Sequence, residues 1–210
     1  MDLKSLEEEL VERTTFPYIW GRLQDDNADK KTNFIYNAKT LNELIFNFDD
    51  LSDELINYAY NRWFNFWSAQ ASEYMFSLNE KVIPEKNKKH KLIDFRIEGT
   101  PFDLKGTVFP KAYPYSIEYA KSNPLDLILW LYTNQSKEGR GHYGNRLFIV
   151  FYNSNLNEHW KVKSNLTLIN EKIDIYLNNY NLDNLPEFIV RGKLSKKESL
   201  VKSDIIWIEI

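Results

Sequence analysis

The stretch Lys91–Thr107, KLIDFRIEGTPFDLKGT, predicts the β-hairpin around which the fold is organised. Polar and apolar residues alternate on both sides of Gly99-Thr100, which can form a two-residue turn with glycine first. This turn predicts that Asp94 lies opposite Lys105. The predicted polar face comprises Asp94, Arg96, Glu98, Asp103 and Lys105, and the apolar face comprises Phe95, Ile97, Phe102 and Leu104.

The polar face of this hairpin brings two carboxylates and a lysine together. Asp94 and Asp103 would lie about a hairpin's width apart, and carboxylate oxygens are the hard ligands that divalent cations prefer. The same residues are compatible with an ordinary two-stranded ribbon, whose exposed face carries charges of alternating sign. The residues alone therefore leave a metal site and a charged ribbon as alternatives.

The order of these charged residues resembles the motif of the PD-(D/E)xK nuclease superfamily, also called restriction-endonuclease-like. Asp94 is followed, after eight residues, by Asp103-Leu104-Lys105, which matches the (D/E)xK triplet. The resemblance implies that Asp94, Asp103 and the carbonyl of Leu104 bind Mg²⁺, for which Mn²⁺ can substitute. It also implies that Lys105 positions and polarises the attacking water.

Residues 53 to 78 form the longest helical pattern, with apolar residues three or four apart. Glu73 lies near this apolar stripe, where a carboxylate is unfavourable unless it is paired or coordinates an ion. In the resembled family a helix before the catalytic strands often contributes a glutamate to the metal site, which implies such a role for Glu73. A solvated position at the edge of the stripe is the alternative.

Other patterns extend the hairpin into an α/β fold. A short strand is predicted around Val82, a helix begins at Asn123-Pro124 with an N-cap and a first-turn proline, and Leu147–Tyr152 forms a continuous apolar strand. Together with the long helix and the hairpin, these elements give the order αβββαβ over residues 55–152. That order resembles the restriction-endonuclease-like core, a central mixed sheet flanked by helices.

Two cationic segments flank the hairpin and the second helix. Lys88 and Lys89 belong to a basic loop, and Gln135, Arg140 and Arg146 belong to a polar loop with several glycines. The family commonly places polar residues in the second loop near phosphates, and arginine suits this task because its planar fork binds phosphate bidentately. Solvated surface loops are the alternative interpretation of both segments.

Composition sets limits on the class of protein. The chain has 210 residues, 43% of them hydrophobic, which is enough for one domain over residues 1–210. Residues 1–54 are predicted to form an N-terminal helical extension, and residues 153–210 a helix and strands that complete the sheet. The absence of cysteine excludes disulfides and thiolate chemistry, and the start of the chain shows no signal pattern, so we expect a cytoplasmic protein.

These observations favour Mg²⁺-dependent hydrolysis of phosphodiester bonds in DNA by a restriction-type endonuclease. DNA is the expected partner, no membrane is expected, and the sequence leaves open whether the chain forms a homodimer. A nuclease fold without turnover, which binds DNA or a protein partner, is the first alternative. A carbohydrate- or peptide-binding protein that uses the many tyrosines and tryptophans is the second, although their helical spacing favours the core.

Overall fold

A computed structural model of the chain describes residues 1–20, 24–87, 92–134, 144–155, 158–191 and 198–210. The chain divides into two compact units. The first comprises Met1–Tyr74 and Lys161–Asn170, and the second comprises Met75–Trp160 and Glu171–Ile210. The division after Tyr74 falls inside the longest helix of the chain.

The first unit is helical. Polar residues cap the N-termini of its helices, because their side chains accept hydrogen bonds from backbone N–H groups that have no partner within the first turn. Asp2 accepts from the N–H groups of Lys4 and Ser5, and Thr40 forms a capping box with Glu43. The helices are α1 (Leu3–Arg13), α2 (Asp26–Lys31), α3 (Leu41–Ile45) and most of α4 (Asp53–Ser77).

Helix α4 supplies the centre of the core of the first unit. Trp63 and Phe64 are fully buried, and the indole N–H of Trp63 donates to the carbonyl of Ala38 at 2.8 Å. That hydrogen bond satisfies the polar atom of the largest buried side chain in this unit. The long helix predicted over residues 53 to 78 is confirmed.

Arg13, the last residue of α1, is fully buried in this unit. Its guanidinium donates to the carbonyls of Phe16 and Pro17 at 3.0 and 3.1 Å and to Oδ1 of Asn61 at 2.8 Å. The guanidinium carbon lies 4.9 Å from the centre of the Tyr60 ring. Because burial disfavours the charged form, the pKa of Arg13 is lowered to about 10. Arg13 thus ties the segment after α1 to α4.

The second unit is built on a six-stranded mixed sheet. Its strands are β1 (Val82–Pro84), β2 (Phe95–Ile97), β3 (Thr100–Val108), β4 (Arg146–Tyr152), β5 (Glu187–Arg191) and β6 (Glu198–Glu209). They lie in the order β1-β2-β3-β4-β6-β5. Strands β1 to β3 are antiparallel neighbours, β4 is parallel to both β3 and β6, and β5 is antiparallel to β6.

Helices flank this sheet, which confirms the mixed α/β class predicted from the sequence. Helix α5 (Ile117–Ser122) precedes α6 (Pro124–Asn134), which packs on one face of the sheet, and α7 (Leu166–Asn178) follows β4 in the chain. Leu127, Ile128 and Leu131 of α6 share one core cluster with Phe148 and Val150 of β4. Lys105 of β3 pairs with Phe148 and therefore lies on the face that α6 covers. Phe102 lies three residues before Lys105, so the alternation of a strand turns it to the opposite face.

The helix predicted from Pro124 is confirmed. Its run of apolar residues, Leu127 to Tyr132, predicts burial on nearly every side, and that prediction is wrong. Leu125 and Leu129 are exposed, so α6 is amphipathic and packs through one stripe. Within the described ranges, no helix is both long and apolar enough to cross a membrane.

The turn of the hairpin differs from the prediction. Glu98 and Gly99 occupy its centre with φ angles of 48° and 86°, and Arg96 pairs with Pro101. A turn with positive φ at both central residues matches the right-handed twist of the flanking strands, which favours it despite the unusual conformation of Glu98. The sequence predicts that Glu98 faces Pro101, but Arg96 does so, and the pairing is thus displaced by two residues. An even displacement retains the predicted faces of the strands and changes the predicted partners.

Candidate active site

Asp94 is held beside β3 although it precedes β2. Its N–H donates to the carbonyl of Phe102 at 2.8 Å, and its carboxylate accepts the N–H of Leu104 at 2.6 Å. The prediction that Asp94 lies opposite Lys105 is therefore wrong. The carboxylate of Asp94 also lies within hydrogen-bond reach of the side chain of Asp103.

Asp103 lies in β3 and is bound by two cations. Its Oδ1 is 2.6 Å from Nζ of Lys105, and its Oδ2 accepts a hydrogen bond from Nε of Arg146 at 3.0 Å. Asp103 is only 5% exposed and Arg146 only 2%. The carboxylate is thus almost removed from water, and the two cations compensate for the solvation that it loses.

The two carboxylates influence each other. Burial raises the pKa of Asp94, whereas the N–H of Leu104 and the charge of Lys105 act in the opposite direction. The neighbouring Asp103 raises the pKa of Asp94 further, through its charge and through a side-chain hydrogen bond. A positive ion between them would relieve this repulsion.

The oxygen ligands near this pair suit a hard cation. The N–H and C=O of one strand residue point to the same side, so the carbonyl of Leu104 points toward the edge where Asp94 lies. Among the described residues, no group of three or more His, Cys, Asp or Glu is placed to hold a metal. Two carboxylates and a carbonyl nevertheless fit Mg²⁺, which commonly takes one or two carboxylates and retains several waters.

Arg146 has a position that the sequence did not predict. It was expected in the polar loop as a phosphate contact, but it is the first residue of β4 and lies directly beside Asp103 in the parallel register. Its guanidinium carbon is 5.3 Å from the centre of the Tyr132 ring, and its Nη1 has no hydrogen-bond partner within the described residues. In this structure Arg146 therefore serves the carboxylate of Asp103.

Asn145 also lies near the site, and the sequence analysis did not name it as a candidate. Its carbonyl accepts the N–H of Asp103 at 3.0 Å, its Nδ2 donates to the carbonyl of Pro101 at 3.0 Å, and its Oδ1 accepts the N–H of Lys202 at 2.8 Å. Asn145 thus connects β3 and β6 at the end of the sheet where Asp103 lies. The signal was its place directly before an apolar strand, where an amide side chain can satisfy the ends of neighbouring strands.

Glu73 lies in the first unit, whereas Asp94, Asp103 and Lys105 lie in the second. Glu73 is partly buried on α4 and accepts a hydrogen bond from Nε2 of Gln70 at 3.2 Å. Its role as a metal ligand stays a prediction.

The other predicted contacts to DNA, Lys88, Lys89, Gln135 and Arg140, lie outside the described residues. Comparison of the chain with protein-family models, with curated proteins and with solved structures gives no match. The residues and their geometry therefore carry the functional argument.

Proposed function

We propose that this chain hydrolyses phosphodiester bonds in DNA with the help of Mg²⁺, as a restriction-type endonuclease. The observation that carries the proposal is the proximity of the carboxylates of Asp94 and Asp103 beside β3, with Lys105 in contact with Asp103. The order α4, β1, β2, β3, α5, α6, β4 resembles the αβββαβ order of a restriction-endonuclease-like core, with α5 as an additional short helix, and this resemblance supports the same proposal.

Each residue has a separate task in this proposal. Asp94, Asp103 and the carbonyl of Leu104 would hold the divalent cation, which would supply Lewis acidity at the scissile phosphate. Lys105 is partly exposed and orients the attacking water. Arg146 pairs with Asp103 and fixes the orientation of its carboxylate.

The substrate would be gripped by cations from the flanking segments. We propose that Lys88, Lys89, Gln135 and Arg140 contact phosphates, since they flank the hairpin and the end of α6 in the sequence. The net charge of −3 means that such attraction must come from a local patch.

One observation favours a second candidate, a nuclease-fold protein without turnover that binds DNA or a protein partner. Both oxygens of the Asp103 carboxylate already contact a cation, Lys105 at Oδ1 and Arg146 at Oδ2. A buried carboxylate neutralised in this way is stable without a metal ion. The two candidates differ in whether the chain binds Mg²⁺ and cleaves DNA.

Calorimetric titration with Mg²⁺ and plasmid nicking, measured in parallel, test the proposal. We expect the parent to nick plasmid only with Mg²⁺, and Asp94→Asn and Asp103→Asn to weaken ion binding and lower cleavage by orders of magnitude. Lys105→Ala should retain ion binding and lower cleavage by about 100-fold or more, because the water loses its positioning group.

Glu98→Gln is the matched control for these variants. Glu98 lies in the turn of the same hairpin and pairs with Lys81 at 3.7 Å, away from the two aspartates. It should cleave at nearly the parental rate. Cleavage by Asp94→Asn and Lys105→Ala at the parental rate would reject the enzyme, and DNA binding without Mg²⁺-dependent cleavage would favour the second candidate.

A further inference from the structure

The sheet of the second unit ends at two edges that differ in their backbone groups. At the β1 edge, Glu85 donates its N–H to the carbonyl of Asp94, so the backbone groups of Glu85 point inward. Because backbone groups alternate in direction along a strand, those of Val82 and Pro84 point outward. Proline has no N–H to offer a further strand. The β1 edge is therefore partly blocked against pairing with another chain.

The edge formed by β5 has no such block. Ser203 donates its N–H to the carbonyl of Pro186 at 3.2 Å, and the alternation of an antiparallel pair then turns every second residue of β5 away from β6. Within the described residues, β6 is the only strand that pairs with β5. The N–H and C=O groups that point outward belong to Glu187, Ile189 and Arg191.

The side chains of these outward residues share one face with their neighbours on β6. Ile189 pairs with Leu200, and the two side chains are 55% and 63% exposed. An ion pair lies on each side of this apolar row: Glu187 with Lys202 at 3.6 Å, and Arg191 with Glu198 at 2.8 Å. The face therefore has a central apolar row between two charged rows.

A second copy of β5 fits this edge in one antiparallel register, with a two-fold axis at Ile189. Glu187 of each copy then faces Arg191 of the other, and the two Ile189 residues face each other. Outward backbone groups meet outward backbone groups, so each of these facing pairs can exchange two hydrogen bonds. Across the four strands the charges alternate in sign, and Leu200 extends the apolar row on both sides.

We propose that β5 is a self-association edge through which two copies of this chain join their sheets by an antiparallel pairing of β5 with β5. A second copy is the occupant because the sequence Glu187-Phe188-Ile189-Val190-Arg191 is complementary to its own reverse: acid faces base, and apolar faces apolar. The contact would remove the exposed apolar row of Ile189 and Leu200 from water, which favours association. This dimer does not depend on nuclease activity.

Sedimentation velocity over a wide concentration series tests the register through two charge reversals. Glu187→Arg places two cations opposite each other at both contacts, and Arg191→Glu places two acids there. Each variant alone should raise the dimer Kd by at least about tenfold, since like charges directly opposite are destabilising. An equimolar mixture of the two variants should restore the dimer, because each contact then joins opposite charges.

Two matched substitutions compare the two edges. Ile83 of β1 and Ile189 of β5 are similarly exposed, at 58% and 55%. Ile189→Lys should abolish the dimer, because two lysines meet at the axis, whereas Ile83→Lys should leave the Kd unchanged. Circular dichroism of each variant checks that the fold is retained.

Three results would overturn the proposal: a parent that stays monomeric throughout the series, equal effects of the two lysine substitutions, or a mixture of the charge variants that does not associate. Nicking activity need not be present for any of these measurements, so failure of the dimer is distinguishable from failure of the proposed enzyme.

Discussion

Two arginines, one in each unit, are buried in the molecule but have different partners. Arg13 in the first unit donates to the carbonyls of Phe16 and Pro17 and to the amide oxygen of Asn61. Arg146 in the second unit donates to the carboxylate of Asp103. Both guanidiniums have lost nearly all contact with water.

The difference between the partners separates a structural role from a role near chemistry. The three oxygens that accept hydrogen bonds from Arg13 are neutral, and burial lowers the pKa of Arg13. Arg146 has a charge-balancing partner, but this partner, Asp103, is also the acid of the Asp103-Leu104-Lys105 triplet. A buried cation thus marks a candidate site when its counter-ion can bind something else.

The largest expected effect on stability comes from breaking the pair of Asp103 and Arg146. Arg146→Met and Asp103→Leu should each lower the free energy of unfolding by about 3–5 kcal/mol, because either change leaves one buried charge without its partner. The effect of Arg146→Met should lie at the lower end, since Lys105 still contacts Asp103. Urea unfolding, with the slope m compared between variants, measures both.

The double variant Asp103→Leu/Arg146→Met sharpens this prediction. It removes both charges together, so its free energy of unfolding should return to within about 1 kcal/mol of the parent. Additive losses in the double variant would show that the pair is not the source of the effect.

Arg13→Met should have a smaller effect, a loss of about 2 kcal/mol. Three oxygens lose their donor, at about 1–3 kcal/mol each, but removal of a buried charge offsets part of this loss. The same urea series measures it.

The double variant Arg13→Met/Asn61→Leu is the counterpart, in the first unit, of Asp103→Leu/Arg146→Met, and we expect no recovery of stability. The two backbone carbonyls still lack a donor, and the hydrogen bond from Asn61 to the carbonyl of Ile19 is lost as well. The double variant should therefore be no more stable than Arg13→Met alone. Recovery toward the parent would mean that Arg13 behaves like Arg146 after all.

Local patterns in the sequence predicted the elements that local interactions determine. The apolar spacing of α4 and the N-cap and proline at the start of α6 place both helices correctly within a few residues. Alternation in the hairpin also assigned its faces correctly, because the side-chain period of a strand does not depend on the turn.

Two features of the site depended on interactions that no local pattern contains. Gly99 suggested a turn with glycine as the first central residue, but in the structure glycine is the second central residue, after Glu98, and the partner of Asp94 changed with it. Arg146 looked like a loop residue because glycines precede it. Its pairing with Asp103 arises from the parallel register of β3 and β4, which joins residues far apart in the chain.

His159 is a third buried basic side chain, and we expect its substitution to have the smallest effect on stability. Its Nδ1 accepts the N–H of Asn153 at 2.9 Å, and its ring stacks on Tyr152 with 4.9 Å between centres. Burial lowers the pKa of His159, and the charge of Lys111 acts in the same direction. Its hydrogen-bond partner is neutral, as for Arg13, so we assign it a structural role.

The sign of the resulting pH dependence follows from that direction. Above a pH of about 6.5 both the folded and the unfolded chain hold His159 neutral, whereas below it the unfolded chain takes up a proton first. Stability should therefore fall as the pH drops through the ordinary histidine pKa toward the lower value of the folded state. His159→Asn keeps an oxygen that can accept the N–H of Asn153 and removes the titration, so its unfolding free energy should change less between about pH 7.5 and about pH 5.5. If the unfolding free energies of the variant and the parent change equally with pH, His159 has the same pKa in the folded and the unfolded chain. Its burial would then not affect its protonation.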